Sequence, residues 1–282
     1  MSRLHCSASP RQRGFNLVEL MVALAIGAIL SVGIIRIVVN NEQVMALNNA
    51  LSTVTENSRI AGIQLSVLLR MAGRSDLVNS NIDNSVDLSE EAIFIKTRSV
   101  LVPGDVTQAG IGSVESGGNA NDVLAFALQH NQDCSGNQHG FAGQDFLVIN
   151  QIYVNNDNQL ICAGYNGRAS RTAAGSPINT TVLVRDVENF QVQYLLFDES
   201  TAVATSQYIE ADQLAANRGT GKSIIGVRVG LLLSNGKYIR MTEAKTFTLI
   251  NGNALTTDQQ RFRDYLTLDI GLRNNNLNTG IM

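Results

Sequence analysis

The most regular feature of the sequence is an apolar segment near its N-terminus. Residues 14–39 read GFNLVELMVALAIGAILSVGIIRIVV, and no charged residue occurs between Leu20 and Ile35. Twenty residues of helix rise about 30 Å, which matches the thickness of a bilayer's hydrocarbon core. The pattern therefore predicts that residues 15–39 form the transmembrane half of an N-terminal helix.

A second helical pattern follows, with apolar residues on one face only. Its members are spaced by three and four, as in an amphipathic helix, and they are Val44, Leu47, Leu51, Val54, Ser58, Ala61, Leu65, Leu68 and Ala72. Gly73 suits a C-terminal stop. We predict one helix from about Leu17 to Ala72, whose outer half, residues 40–73, packs its stripe on a globular domain. A coiled coil of identical chains is the alternative.

From residue 92 onward the pattern changes to short β-rich runs separated by clusters of Asn, Gly and Asp. The predicted strands are Ala92–Arg98, Asp122–Gln129, Asp145–Val154, Gln159–Gly164, Thr181–Phe197, Ser223–Ser234, Tyr238–Ile250 and Phe262–Leu272. Hairpin turns are predicted at residues 155–158 and 235–236, a surface loop at 104–121 and a short helix at 206–217. The fold class is therefore α+β: a long N-terminal transmembrane and amphipathic helix, then one antiparallel β-sheet globular domain over residues 74–282.

Charge is distributed unevenly along the 282 residues, whose formal net charge is −3. Residues 1–14 hold Arg3, Arg11 and Arg13 and no acidic residue. Without this head, 18 basic residues remain against 24 acidic ones, a net charge of −6. A short positive head before an apolar run is typical of membrane targeting, with the positive end on the cytoplasmic side. No basic excess indicates a nucleic-acid partner.

Three cysteines are present, and Cys6 lies in the positive head. If the head is removed, Cys134 and Cys162 remain as an even pair beyond the membrane, which predicts one disulfide in an oxidising compartment. The bond would close a loop of about 29 residues and stabilise the domain by roughly 3.5 kcal/mol in the chain-entropy model. The alternative is two buried free thiols.

Two features distinguish the apolar segment from an ordinary secretory signal. The candidate cleavage site, Gly14–Phe15, precedes the apolar run, so cleavage would remove the head and keep the helix. Glu19 places a carboxylate inside the segment, where it is costly unless paired. Cleavage would create a positive α-amino group at Phe15, which Glu19 of a neighbouring subunit could meet. The alternative is that Glu19 reaches the headgroups from the helix end.

The run Gly14-Phe15-Asn16-Leu17-Val18-Glu19-Leu20 resembles the class III signal of type IV prepilins and pseudopilins. The resemblance implies that a prepilin peptidase cuts after Gly14 and that the new N-terminal Phe15 is methylated. It also implies that Glu19, the fifth residue of the mature chain, is the residue required for filament assembly.

Later segments resemble, more loosely, the minor pilin PilW family. The residues that carry the resemblance are Glu56-Asn57-Ser58-Arg59, Val187-Glu188-Asn189-Phe190-Gln191-Val192-Gln193-Tyr194, Ile225–Leu233 and Thr267–Asn274, together with the two globular cysteines. Serine at position 58 replaces the glycine usual in the first of these motifs.

No catalytic constellation is apparent, so we expect neither an enzyme nor a cofactor. Arg218-Gly219-Thr220-Gly221-Lys222-Ser223 is similar to the end of a phosphate-binding loop, but Ala216 occupies the position of the required glycine and a strand follows. His130 and His139 flank Cys134 without a second nearby cysteine, which argues against a metal site.

The resemblance implies a minor pilin that helps to initiate and form the tip of a type IV pilus. Its expected partners are other minor pilins, the major pilin, the prepilin peptidase and the inner-membrane assembly platform, with a tip adhesin as a further candidate. The expected location is the bacterial inner membrane, with the globular domain in the periplasm, and then the pilus. The alternatives are a large minor pseudopilin of type II secretion, a DNA- or sugar-binding tip module and a membrane-tethered enzyme.

Overall fold

A computed structural model describes residue 14 and residues 16–172, 179–200, 203–239, 241 and 243–274. The chain divides into two compact units, Met1–Asn49 and Ala50–Met282. In the first unit the described residues from Leu17 onward are helical. The second unit contains the rest of that helix and the β-sheets. The predicted α+β class, with a long N-terminal helix before an antiparallel β domain, is confirmed.

Helix α1 spans Leu17–Arg70, within two residues of the predicted bounds. It ends where Gly73 adopts a φ of 74°, a left-handed conformation that glycine takes without a Cβ clash. The Gly73 N–H then donates to the Ala127 carbonyl of the adjoining sheet. The chain thus leaves the helix with its backbone polar groups paired to the β domain.

The predicted apolar stripe is buried only along the outer part of α1. Buried positions begin at Ala50 and continue as Val54, Ala61, Leu65 and Leu69, whereas Val44, Leu47 and Leu51 stay exposed within the chain. The outer part of α1 therefore packs on the β domain as predicted, with Leu69 fully buried and the predicted Leu68 half-buried.

The described strands form two four-stranded antiparallel sheets and one small hairpin. The first sheet has the order β1-β2-β3-β4 and the second the order β10-β7-β5-β6, with β8 paired to β9. The bounds are β1 Leu124–His130, β2 Phe146–Val154, β3 Gln159–Asn166, β4 Asn179–Arg185, β5 Val187–Asp198, β6 Thr205–Ile209, β7 Lys222–Ser234, β8 Thr246–Thr248, β9 Ala254–Thr256 and β10 Arg263–Gly271.

One hydrophobic core joins α1 to both sheets. Val54, Ala61 and Leu65 from the helix share a cluster with alternate residues of β1 to β5, β7 and β10. The period of two puts Phe126 and Leu128 on this face and leaves Ala125 and Ala127 on the other. This core fixes the helix to the domain, because each buried large apolar side chain contributes roughly 1.5–3 kcal/mol.

The other face of the first sheet is covered by a second helix, which corrects the prediction of a strand at Ala92–Arg98. Helix α2 spans Leu88–Thr97 and is capped by Asp87, whose carboxylate accepts hydrogen bonds from the N–H groups of Ser89 and Glu90. Phe94 and Ile95 pack into a second cluster on the sheet. Asp87 is a local N-cap signal for a helix, but the apolar residues that follow it also fit the pattern of a strand.

Other boundaries also differ from prediction. The run Thr181–Phe197 contains two strands, because Asp186 breaks it with a φ of 59°. The predicted helix at 206–217 is instead β6 followed by a 3₁₀ turn, Ala211–Gln213. Of Tyr238–Ile250, only β8 is a described strand.

The two predicted hairpins have different outcomes. Residues 155–158 join β2 to β3 as predicted. By contrast, residues 235–236 turn the chain away from β7, which pairs with β5 and β10 instead. The predicted loop at 104–121 lacks helix and strand, but Val106 and Ile111 are buried in the second cluster rather than on the surface.

Candidate filament-assembly site

The N-terminal end of α1 holds the residues that the sequence indicated for processing and assembly. Gly14 is exposed. The first turn is closed by a hydrogen bond of 3.2 Å from the Leu20 N–H to the Asn16 carbonyl. The rest of the predicted leader, residues 1–13, and Phe15 lie outside the described residues.

Glu19 lies in the first turn of α1 with its side chain exposed. A carboxylate there is favoured by the positive end of the helix dipole. In the described part of the chain its carboxylate has no hydrogen-bond or ion-pair partner. The geometry leaves the carboxylate available to a group from outside the chain.

The first half of α1 has the length and composition of a membrane span, and among the described residues it is the one such helix. Its only charged residues before Asn49 are Glu19, Arg36 and Glu42, and its apolar side chains are exposed all round within the chain. The Ser31 hydroxyl donates to the Gly27 carbonyl at 2.8 Å, so this polar group is satisfied within the helix. An apolar surface on every side suits lipid or other helices.

The predicted disulfide is present and joins Cys134 to Cys162, with the Cα atoms 6.2 Å apart. Cys162 is a fully buried residue of β3, and Cys134 begins the loop between β1 and β2. The Cys134 N–H also donates to the Asn150 side-chain oxygen at 3.0 Å. The bond therefore fastens a long loop to the core face of the first sheet.

The histidines near this disulfide have structural partners. The His139 ring contacts the buried Asp133 carboxylate at 2.7 Å and meets the Phe146 ring edge-on. His130 Nδ1 lies 2.9 Å from the Gln132 carbonyl oxygen. No group of three His, Cys, Asp or Glu side chains suited to a metal ion occurs among the described residues.

In residues 218–223, the segment that is similar to a phosphate-binding loop, both basic side chains form ion pairs within the chain. Arg218 forms two bonds to the Asp105 carboxylate, at 2.5 and 2.6 Å, and Lys222 pairs with Asp198 at 3.4 Å. Lys222 also begins strand β7, so a strand rather than a helix follows the loop, as the sequence predicted. A phosphate-binding loop needs a helix N-terminus at this point.

Sequence analysis did not identify a buried ion-pair cluster that ties α2 to the first sheet. Arg168, in the short helix α3 (Gly167–Thr172), bonds both oxygens of Glu91 at 2.6 and 3.1 Å. It also bonds the Asp83 carboxylate at 2.5 Å. Glu91 and Asp83 lie 77 and 85 positions before Arg168 in the sequence, so no local pattern could have indicated these pairs.

Comparison with known families gives two matches. Residues 9–35 match the prokaryotic N-terminal methylation motif, and residues 148–274 match the type IV pilus-assembly protein W family, PilW. The first match contains Gly14 and Glu19, and the second runs from β2 past the end of β10. No curated protein and no solved structure matches the chain.

The family matches agree with the geometry. A glycine precedes a helix of membrane-spanning length that carries a glutamate in its first turn, and the outer part of that helix packs on an antiparallel β domain containing a disulfide. The chain is a type IV pilin-like protein: it carries the N-terminal methylation motif of prepilins on a helix of membrane-spanning length, and its residues 148–274 resemble the PilW family of minor pilins.

Proposed function

We propose that this protein is a minor pilin that helps to initiate assembly of a type IV pilus and forms part of its tip. The observation that carries the proposal is the PilW match across residues 148–274, on a domain that follows a prepilin N-terminus. The role is structural: the chain contributes surfaces and an anchor rather than catalysis. It is held in the inner membrane with its globular domain in the periplasm, and it enters the pilus from there.

Processing defines the functional segments. Prepilin peptidase removes residues 1–14 by cutting after Gly14, and the new amino group of Phe15 is methylated. Residues 15–39 then form the transmembrane half of the helix, residues 40–73 the amphipathic half, and residues 74–282 the globular region. The exposure of Gly14 supports this reading, because a peptidase needs access to the bond that follows it.

Glu19 is the assembly residue in this proposal. In the filament its carboxylate pairs with the positive Phe15 amine of a neighbouring subunit, at a similar depth along the helix. Its exposure, and the absence of a partner for it in the described residues, support an intermolecular role. In a low-dielectric filament core such a pair discriminates between right and wrong register, even where its net contribution to stability is small.

A position at the tip is supported by the size of the second unit, Ala50–Met282. A subunit repeated along a shaft must stack many times, and a large domain with long loops is awkward there. A subunit present once at the tip has no such constraint. Its partners are other minor pilins and the major pilin, the assembly platform, and a tip adhesin as a further candidate. No nucleic acid is required.

The test compares Glu19→Ala with two related variants. Glu42→Ala removes another exposed carboxylate from the same helix beyond the apolar segment, and Glu19→Asp keeps the charge on a shorter arm. Whole cells and sheared pili are compared by immunoblot, and pili per cell are counted by electron microscopy. Glu19→Ala should insert, be cleaved and fold normally, yet enter pili and initiate them at a strongly reduced level.

Glu42→Ala should behave as the wild type. Incorporation of Glu19→Ala at the wild-type level would show that this carboxylate does not direct assembly. Normal pilus number in a strain lacking the protein would refute the role in initiation.

A further inference from the structure

Three carboxyl groups converge at the end of the domain where loop 113–122 meets the second sheet. Asp122 is almost fully buried, and its two oxygens accept hydrogen bonds from the N–H groups of Ser116 and Val192 at 3.1 and 2.9 Å. Glu115 comes from the same loop, and Glu210 from the turn after β6. The cluster therefore links a loop, the central strand β5 and the segment that follows edge strand β6.

The hydrogen bonding of the two glutamates is incomplete. One oxygen of Glu115 accepts from the Gly117 N–H at 3.1 Å, and one oxygen of Glu210 accepts from the Gln193 side-chain amide at 2.8 Å. The second oxygen of each is buried without a donor in the described part of the chain. The bonds of Asp122 to Ser116 and Val192, and of Glu210 to Gln193, bring the loop and the turn after β6 to consecutive residues of β5, where a bound proton would supply the donor that these oxygens lack.

A buried hydroxyl adds an independent sign of an unsatisfied site. The Tyr194 side chain is completely buried, and its hydroxyl has no hydrogen-bond partner among the described residues. The neighbouring Ser113 hydroxyl is already engaged with the Ala125 backbone at 3.2 and 2.9 Å. Burial raises the pKa of Tyr194, and the charges of the three carboxyl groups raise it further, so the tyrosine stays neutral.

In the part of the chain that the structure describes, none of the three carboxyl groups forms an ion pair with a Lys, Arg or His. The other titratable groups that act on the cluster are Asp212 beside Glu210 and Tyr265 of β10 facing Asp122. No Lys, Arg or His among the described residues is one of the main influences on the three carboxyl groups. Burial and then the charge of Asp122 raise the pKa of Glu115, and burial raises the pKa of Asp122 to about 6. Burial, together with Glu115 and Asp212, also raises the pKa of Glu210.

We propose that Glu115, Asp122 and Glu210 form a proton-dependent latch, which clamps loop 113–122 to β5 and to the turn after β6 while a proton is shared. When the carboxyl groups ionise, their mutual repulsion loosens the loop. Since the periplasm equilibrates with the medium more readily than the cytoplasm does, the latch would report external pH at this end of the domain.

The direction of the pH effect follows from these shifts. Groups whose pKa is raised on folding stabilise the domain below their unfolded pKa, and this stability is lost as pH rises through the folded pKa. For Asp122 the loss runs from about pH 4 to above pH 6. Carboxylates with lowered pKa, such as Asp105 and Asp269, titrate below this window.

The test measures thermal unfolding and amide hydrogen exchange of the full-length protein in detergent at pH 5 and pH 8. Exchange is corrected for the intrinsic pH dependence of the chemical rate. Between pH 5 and pH 8, the Tm of the wild type should fall by about 3–6 °C more than the Tm of Glu115→Gln. In the wild type, the faster exchange at pH 8 should be confined to peptides covering residues 113–122. Glu210→Gln should flatten the pH dependence in the same way, while Asp157→Asn, in the exposed turn between β2 and β3, should not.

Each glutamine keeps the size of the side chain that it replaces and offers a permanent N–H donor, so both variants should fold. If one of them does not, the other still tests the proposal. The proposal is overturned if both glutamine variants keep the wild-type pH dependence. It is equally overturned if residues 113–122 exchange no faster at pH 8 than the β2–β3 hairpin.

Discussion

Replacing Arg168 by methionine tests whether a buried ion-pair cluster holds α2 against the first sheet. The side chain is about 10% exposed, and Glu91 and Asp83 on either side of it are about 2% and 16% exposed. Its guanidinium makes two bonds to Glu91 and further bonds to the Asp83 carboxylate, the Asp83 carbonyl and the Ser85 hydroxyl. It also lies over the Phe141 ring at 5.2 Å. Methionine preserves the bulk but removes every donor.

The expected cost is set by Glu91, which the substitution leaves buried without a partner. Removing one member of a buried pair costs about 3–5 kcal/mol. At roughly 2–4 °C per kcal/mol for a domain of this size, Tm should fall by about 6–20 °C. Asp83 adds less, because it is more exposed and keeps the hydrogen bonds from Ser85 that, with Arg168, lower its pKa despite burial.

A double-mutant cycle separates this explanation from general disruption. Adding Glu91→Met to Arg168→Met should recover most of the loss, since the pair is then replaced by apolar groups of similar size. Arg185→Met, at an exposed arginine on β4, should change stability by about 0.5 kcal/mol or less. Full-length protein in detergent would be unfolded thermally and chemically. A loss below about 1 kcal/mol for Arg168→Met, or strict additivity in the double variant, would refute the reasoning.

Three further outcomes are expected. Gly14→Val should block processing, because a branched side chain would not fit the site of the prepilin peptidase where glycine presents only hydrogen; mass spectrometry should then find the leader still attached, and a mature N-terminus would contradict this. Replacing Cys134 and Cys162 by serine should lower stability by roughly 3.5 kcal/mol in denaturant titrations, and equal stability of the reduced and oxidised wild type would argue against it. Gly164→Ala should destabilise strand β3, because its Cβ would collide with the buried carboxylate packed against it; Gly271→Ala, with open space, serves as the comparison, and equal melting temperatures would count against the packing argument.

The accuracy of the sequence predictions depended on how local the signal was. Helix α1 was predicted nearly to the residue, because its apolar run, its stripe and Gly73 all act within a turn or two of the backbone. The prediction of a strand at Ala92–Arg98 was wrong, because its apolar residues suit a buried helix as well as a strand. The N-cap at Asp87, five residues before this run, favours the helix. The prediction of a hairpin at residues 235–236 failed because strand partners are chosen across the whole sheet.

The sequence by itself determined the parts whose physics is local or compositional. A membrane-length apolar run, a glycine before it and a carboxylate inside it can be identified without knowing the fold, since bilayer thickness and the cost of buried charge act on single segments. The two cysteines beyond the apolar segment likewise predicted one disulfide bond. Tertiary structure alone decided the pairing of Arg168 with Glu91 and the meeting of Glu115, Asp122 and Glu210. Arg168 lies 77 residues from Glu91, and Glu210 is far along the chain from the loop that holds Glu115 and Asp122. Only the packing of α2, the loops and both sheets removes these side chains from water and makes their charges interact.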